Sequence, residues 1–138
     1  MQPFHLAFPV KDLETTRHFY GEVLGCPMGR SAPTWQDFDL FGHQMSAHVR
    51  PAAGDAGRDG KVDGKAVPIP HFGVVLDMDQ WRVLADRLGT RDDVEWLEEP
   101  QIRFAGEPGE QATLFIMDPS GNALEFKGFR SMDGVFAT

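Results

Sequence analysis

Two histidines and one glutamate are the residues of this chain whose types could share a metal ion. His5 lies in the strand-like run Pro3-Phe4-His5-Leu6-Ala7-Phe8-Pro9-Val10, His71 in Pro70-His71-Phe72-Gly73-Val74-Val75-Leu76, and Glu125 in Asn122-Ala123-Leu124-Glu125-Phe126-Lys127. Imidazole nitrogens and a carboxylate oxygen suit first-row divalent metals. A set of two histidines and one carboxylate leaves coordination positions open, as a catalytic ion needs and a closed structural site does not. Side chains alternate faces along a strand, so His5 shares its face with Ala7 and Pro9, His71 with Gly73 and Val75, and Glu125 with Ala123. These compact neighbours leave room for an ion and its ligand. The ordinary alternative is a pair of half-buried histidines bonded to backbone and a solvated glutamate.

The elements that must position these residues occur in a repeated order. After the first histidine strand, Asp12 can cap a helix over about 12–24 whose Leu13, Thr16, Phe19, Tyr20, Val23 and Leu24 lie mostly along one side, with Gly25 to end it. Strands are predicted near 26–31, 34–41 and 43–50, with Gly42 at the last turn. After the second histidine strand, Asp77 or Asp79 can cap a helix carrying Trp81, Leu84, Ala85 and Leu88, which Gly89 can terminate; strands near 93–97, 110–117 and 122–128 follow. The reading is an α+β chain of two β-α-β-β-β modules, about 1–50 and 70–130, in one domain spanning 1–138. Superposing Asp39-Leu40-Phe41-Gly42 on Asp118-Pro119-Ser120-Gly121 puts Ser46 in the place of Glu125.

Between the modules, residues 51–69 hold Gly54, Gly57, Gly60, Gly64 and several charges, as expected of a surface connector. Within it, Asp55-Ala56-Gly57-Arg58-Asp59-Gly60 resembles the start of a calcium loop, but the twelfth position is Ala66 where a bidentate glutamate is required. With 138 residues, 41% of them hydrophobic, the chain can bury one core. Its net charge of -8 argues against nucleic acid and anionic membrane as partners. A single cysteine, Cys26, excludes an intrachain disulfide and a multi-thiolate zinc site. With no signal-like or membrane-length apolar run, a cytoplasmic location is expected.

His5, Pro70-His71-Phe72-Gly73 and the closing Asp118-Pro119-Ser120-Gly121-Asn122-Ala123-Leu124-Glu125 resemble the vicinal oxygen chelate superfamily, which groups glyoxalase I, bleomycin-resistance proteins, fosfomycin-resistance thiol transferases and extradiol ring-cleavage dioxygenases. The resemblance covers nearly the whole chain. It implies paired modules forming a cupped, partly open mixed sheet around one divalent ion (Fe, Mn, Zn or Ni), with His5, His71 and Glu125 as ligands. It also implies a homodimer, in some relatives with the site completed across the interface, and a small vicinally oxygenated substrate. The activities it implies are ring-cleavage dioxygenase-like, with glyoxalase-type lyase, thiol transferase or metal-free sequestering resistance protein as alternatives.

The chain departs from these relatives at two positions. Glyoxalase I places a second carboxylate where Ser46 stands, and His48, on Ser46's face, is the candidate acid-base catalyst. Ring-cleaving members place a tyrosine ten residues before the metal glutamate, where this chain has Phe115. Strand parity nominates Gln111, Thr113 and Phe115 on one face and Gln36 beside Phe38 as groups lining a cavity. Arg103, in the irregular 100–109 segment, is the candidate partner for an anionic substrate group. Trp35, Trp81 and Trp96 are expected in the core or at an interface, and His18 and His43 at the surface.

Overall fold

The computed structural model describes residues 1–51, 53, 61–62 and 65–138, and these fall into two compact units. The first comprises Met1–Asp59 together with the turn Asp118–Asn122. Its elements are β1 (His5–Val10), α1 (Leu13–Arg17), a π-helical turn (His18–Val23), β2 (Met28–Ala32), β3 (Trp35–Leu40) and β4 (His43–Val49). The sheet order is β1-β4-β3-β2, with β1 parallel to β4 and the other pairs antiparallel. Asp12 caps α1 by accepting from the Thr15 amide at 2.7 Å, and this bond holds its carboxyl below the usual carboxylate range.

The expected single helix over 12–24 changes register halfway. From His18 the ladder widens, with the Leu24 amide bonded to the Phe19 carbonyl five residues back, and Gly25 at φ 76° then turns the chain away. The wider π turn brings the neighbouring Phe19 and Tyr20 both inside, 3% and 0% exposed. Tyr20 packs against Phe8 and Phe38, at ring-centre distances of 5.4 and 5.3 Å. Phe8, Val10, Phe38, Leu40, Met45 and Ala47 form the buried face of the sheet beneath it.

The second unit comprises Gly60–Met117 and Ala123–Thr138. A short hairpin, β5 (Lys61–Val62) with β6 (Lys65–Ala66), lies in the stretch expected to be a plain connector, whereas the calcium-like residues 55–60 lie outside the described residues. Then follow β7 (Phe72–Asp77), α2 (Met78–Gly89), β8 (Glu95–Arg103), β9 (Gln111–Met117) and β10 (Ala123–Phe129). The sheet order β7-β10-β9-β8, with β7 parallel to β10, repeats the strand order of the first sheet. Asp77 caps α2 through the Gln80 amide at 2.8 Å. Met78, Trp81, Leu84 and Leu88 of α2 are buried, as are Leu114, Ile116, Leu124 and Phe126 of the sheet. The Trp81 indole donates to the Phe126 carbonyl at 3.0 Å.

The strand predicted near 93–97 runs on to Arg103, through Pro100. An edge strand tolerates a proline because its outer backbone bonds to nothing, and the register shifts between Glu98 and Gln101. Arg103 therefore ends a strand opposite Gln111 and is not in a loop; the irregular stretch begins at Phe104, φ 57°.

Candidate metal and substrate site

The parallel pairing of β7 with β10 sets Glu125 beside Gly73, two residues after His71. A side chain at position 73 would overlap the Glu125 carbonyl oxygen, so only glycine allows this approach. The His71 Nε2 lies 3.3 Å from Glu125 Oε2, and the two side chains are 24% and 14% exposed. The other ring nitrogen, Nδ1, is 2.8 Å from the Pro68 carbonyl, which can only accept. Nδ1 therefore carries the proton, and in the neutral ring the Nε2 lone pair faces a carboxylate oxygen. Two lone pairs at that distance repel unless a cation or a proton stands between them. Glu125 is itself oriented, because its Oε1 accepts from the Thr113 hydroxyl at 3.2 Å and lies 3.8 Å from the Lys127 ammonium. The Phe115 ring packs edge-on against the His71 ring at 4.9 Å.

A carbonyl behind one nitrogen of a histidine, with a carboxylate in front of the other, is the usual setting of a metal-ligating imidazole. His71 and Glu125 thus fit as two ligands of a divalent ion by the chemistry of their donor atoms. They line a cavity of about 340 Å³ whose walls include Arg103, Gln111, Thr113 and Phe115, together with Glu98 and Lys127. Six residues singled out in the sequence therefore meet around one space.

The remaining candidates lie on the first sheet. The His5 Nδ1 donates to Gln44 Oε1 at 2.9 Å, which in the neutral ring leaves the lone pair on Nε2. The Gln44 amide reaches Asp37 Oδ2 at 3.4 Å, and the Ser46 hydroxyl donates to Asp37 Oδ1 at 2.6 Å. Ser46 pairs with Ala7, two residues after His5, as Glu125 pairs with Gly73, two after His71. Ser46 thus holds the register position of Glu125, and Asp37 that of Phe115. His48 is half-buried beside the Trp35 ring, 6.5 Å between centres, four residues along β4 from the Gln44 that pairs with His5. That spacing is about 13 Å along a strand.

Gln36 corrects the expectation that it lines a cavity. It is 3% exposed, its amide donates to the carbonyls of Gly29, Arg30 and Asp37, and it accepts from Arg17 Nε. It shares the face of Phe38 as expected, but that face is the core. Among the described residues no three His, Cys, Asp or Glu side chains are grouped closely enough to hold a metal ion. Of the expected trio, His71 and Glu125 come together on the second sheet, and His5 lies on β1 of the first.

The aspartate of the closing motif serves the fold. Asp118, 2% exposed, accepts from the Ser120 and Asn122 amides, the Asn122 side chain and the Tyr20 hydroxyl, each at 2.8–2.9 Å. Burial pushes its carboxyl above the usual range while these bonds pull it back. Burial, and then the facing carboxylate, raise the Tyr20 phenol well above its ordinary value.

The family model of the Glyoxalase/Bleomycin resistance protein/Dioxygenase superfamily matches residues 2–126. The chain belongs to this superfamily. A glyoxalase/bleomycin resistance protein/dioxygenase from Alicyclobacillus acidocaldarius shares 30% identity at a TM-score of 0.76, over 98% of this chain and 96% of that one. Two more distant members of the glyoxalase fold share the architecture. The fosfomycin resistance protein FosX of Listeria monocytogenes is 15% identical at TM-score 0.68, over 97% of both chains. A glyoxalase/dioxygenase from Nostoc punctiforme is 16% identical at TM-score 0.68, over 94% of this chain and 92% of that one. No curated protein matches.

Four residues escaped the sequence reading: Glu98, Lys127, Asp37 and Gln44. Lys127 was recoverable from its parity with Glu125. Glu98 was not, because the end of β8 was read too early.

Proposed function

We propose that this superfamily member is a divalent-metal-dependent enzyme acting on a small, vicinally oxygenated substrate. His71 and Glu125 are two metal ligands on this reading, and His5, of the same chain or of a second copy in a homodimer, is the third. The supporting observation is the proton on His71 Nδ1, which turns the Nε2 lone pair toward a carboxylate across a 3.3 Å gap. A bound divalent ion would supply Lewis acidity, polarising adjacent substrate oxygens, with open positions for a second reactant.

The chain's own residues have separate tasks in this scheme. Pro68 holds the His71 tautomer, Thr113 aims the Glu125 carboxylate, and Phe115 walls the cavity with an apolar ring. Phe115 carries no hydroxyl, so deprotonation of a diol falls to another group, for which His48 and Glu98 are the candidates. This lack weighs toward lyase or transferase chemistry over ring cleavage. A second reading, a sequestering protein without a metal, draws on the lack of a three-ligand group among the described residues.

Metal analysis of protein purified without chelator, repeated on H71A and E125A, separates the two readings. Metal retention that falls at least about ten-fold in either variant supports the enzyme reading. Equal metal content in all three proteins, or none in any, leaves the sequestering reading standing.

A further inference from the structure

We infer that the substrate carries an anionic group of the carboxylate or phosphonate class, held by Arg103 at the end of the cavity away from His71 and Glu125, with Lys127 on the row between. This names the substrate class for the site proposed above and rests on that reading. The strand registers order the cavity floor into rows. Glu125, Phe115 and Glu98 form one row; Lys127, Thr113 and Gln101 the next; Phe129, Gln111 and Arg103 the third. Rows lie two residues apart, about 7 Å, so the third is about 13 Å from the first. Among the described residues, both carboxylates that line the cavity stand in the first row and both cations in the other two.

These cations are not consumed by the fold. No hydrogen bond or ion pair engages the Arg103 guanidinium among the described residues, and the Lys127 side chain is 51% exposed with only the 3.8 Å approach to Glu125. An approach that long on an exposed lysine contributes little. Charge balance points the same way. Among the described residues the lining holds Arg103 and Lys127 against Glu98 and Glu125, so a divalent ion at the first row leaves these groups with two net positive charges, inside a chain of net charge -8. A guanidinium offers a planar fork that matches a carboxylate or phosphonate, and Gln111, directly across the ladder from it, adds an amide donor. The substrate is then bipolar, with vicinal oxygens toward His71 and Glu125 and the anion one to two rows away.

Calorimetric titration of zinc-loaded protein with catechol and with 3,4-dihydroxybenzoate, which adds one carboxylate opposite the diol, tests this. The carboxylate is expected to tighten binding about ten-fold, the scale of one charge-assisted contact. R103Q should remove most of that preference while zinc content and catechol affinity persist, and K127Q, whose ammonium also approaches Glu125, should weaken the preference when compared at equal zinc loading. Equal affinity for the two probes in the unaltered protein overturns the inference, as does a preference that survives R103Q/K127Q. Should zinc fail to load, the proposed function fails separately, and phenylphosphonate titrated into metal-free protein reads the cation pair directly. Saturable binding abolished in R103Q/K127Q then supports the anion site, and no binding overturns it.

Discussion

Substituting Glu125→Gln separates a vacated cation position from an ordinary ion pair, because the two predict opposite signs. The Glu125 Oε1 faces Thr113 and Lys127, and its Oε2 faces the His71 Nε2 lone pair. A glutamine in the same rotamer keeps an acceptor toward Thr113 and presents an N–H to His71. A repulsion is thereby replaced by a hydrogen bond, worth about 1 kcal/mol. For a chain of this length that raises the melting temperature by about 3–5 °C, between the values typical of smaller and larger domains. Zinc reverses the order. At a free concentration of about 100 times its Kd it stabilises the unaltered protein by about 2.7 kcal/mol. A 10- to 100-fold weaker E125Q site gains only about 0.4–1.4 kcal/mol at the same concentration. The assay is thermal unfolding at about pH 8, above the usual imidazole range, in EDTA and then in zinc. If E125Q melts below the unaltered protein in EDTA, His71 and Glu125 form an imidazolium–carboxylate pair and the lone-pair argument is wrong.

Thr113→Val removes the hydroxyl that aims Glu125, and metal affinity in a competition titration is expected to fall about ten-fold with little loss of stability; unchanged affinity means Glu125 is positioned by other groups. Tyr20→Phe removes a buried donor to Asp118 and costs about 1–2 kcal/mol. The loss depends on pH with a definite sign. The folded pKa of Asp118 lies above its unfolded value, so its favourable contribution is full below the unfolded value and is lost as pH rises through the folded one. Without the Tyr20 bond the folded pKa climbs further, so urea melts should show a larger deficit at pH 7 than at pH 4, and equal deficits would count against this account. Gly128→Ala would set a methyl 2.7 Å from the Trp81 Cβ and Cγ, a contact that α2 must retreat to relieve. It is expected to cost about 1–3 kcal/mol by urea titration, and a neutral result would mean α2 shifts without loss.

What the sequence determined by itself was local. Strand parity placed Gln111, Thr113 and Phe115 on one face and Glu125 with Ala123, because side-chain alternation needs only the strand itself. Asp12, and Asp77 or Asp79, announced their helices because a cap bonds an amide three residues on, and the structure chose Asp77. The closing motif, with His5 and His71, pointed to the superfamily. Tertiary structure decided the rest. Which face of β3 is the core cannot be read from alternation, and so Gln36 was assigned to the wrong side. Only the parallel pairing of β7 with β10 puts His71 beside Glu125, and only the path of the chain through Pro68 sets the tautomer. The bond from Tyr20 to Asp118 spans 98 residues, and the rows that separate Arg103 from the two carboxylates exist only once three strands are in register. Register is chosen by burial summed over distant strands, a quantity no local pattern contains.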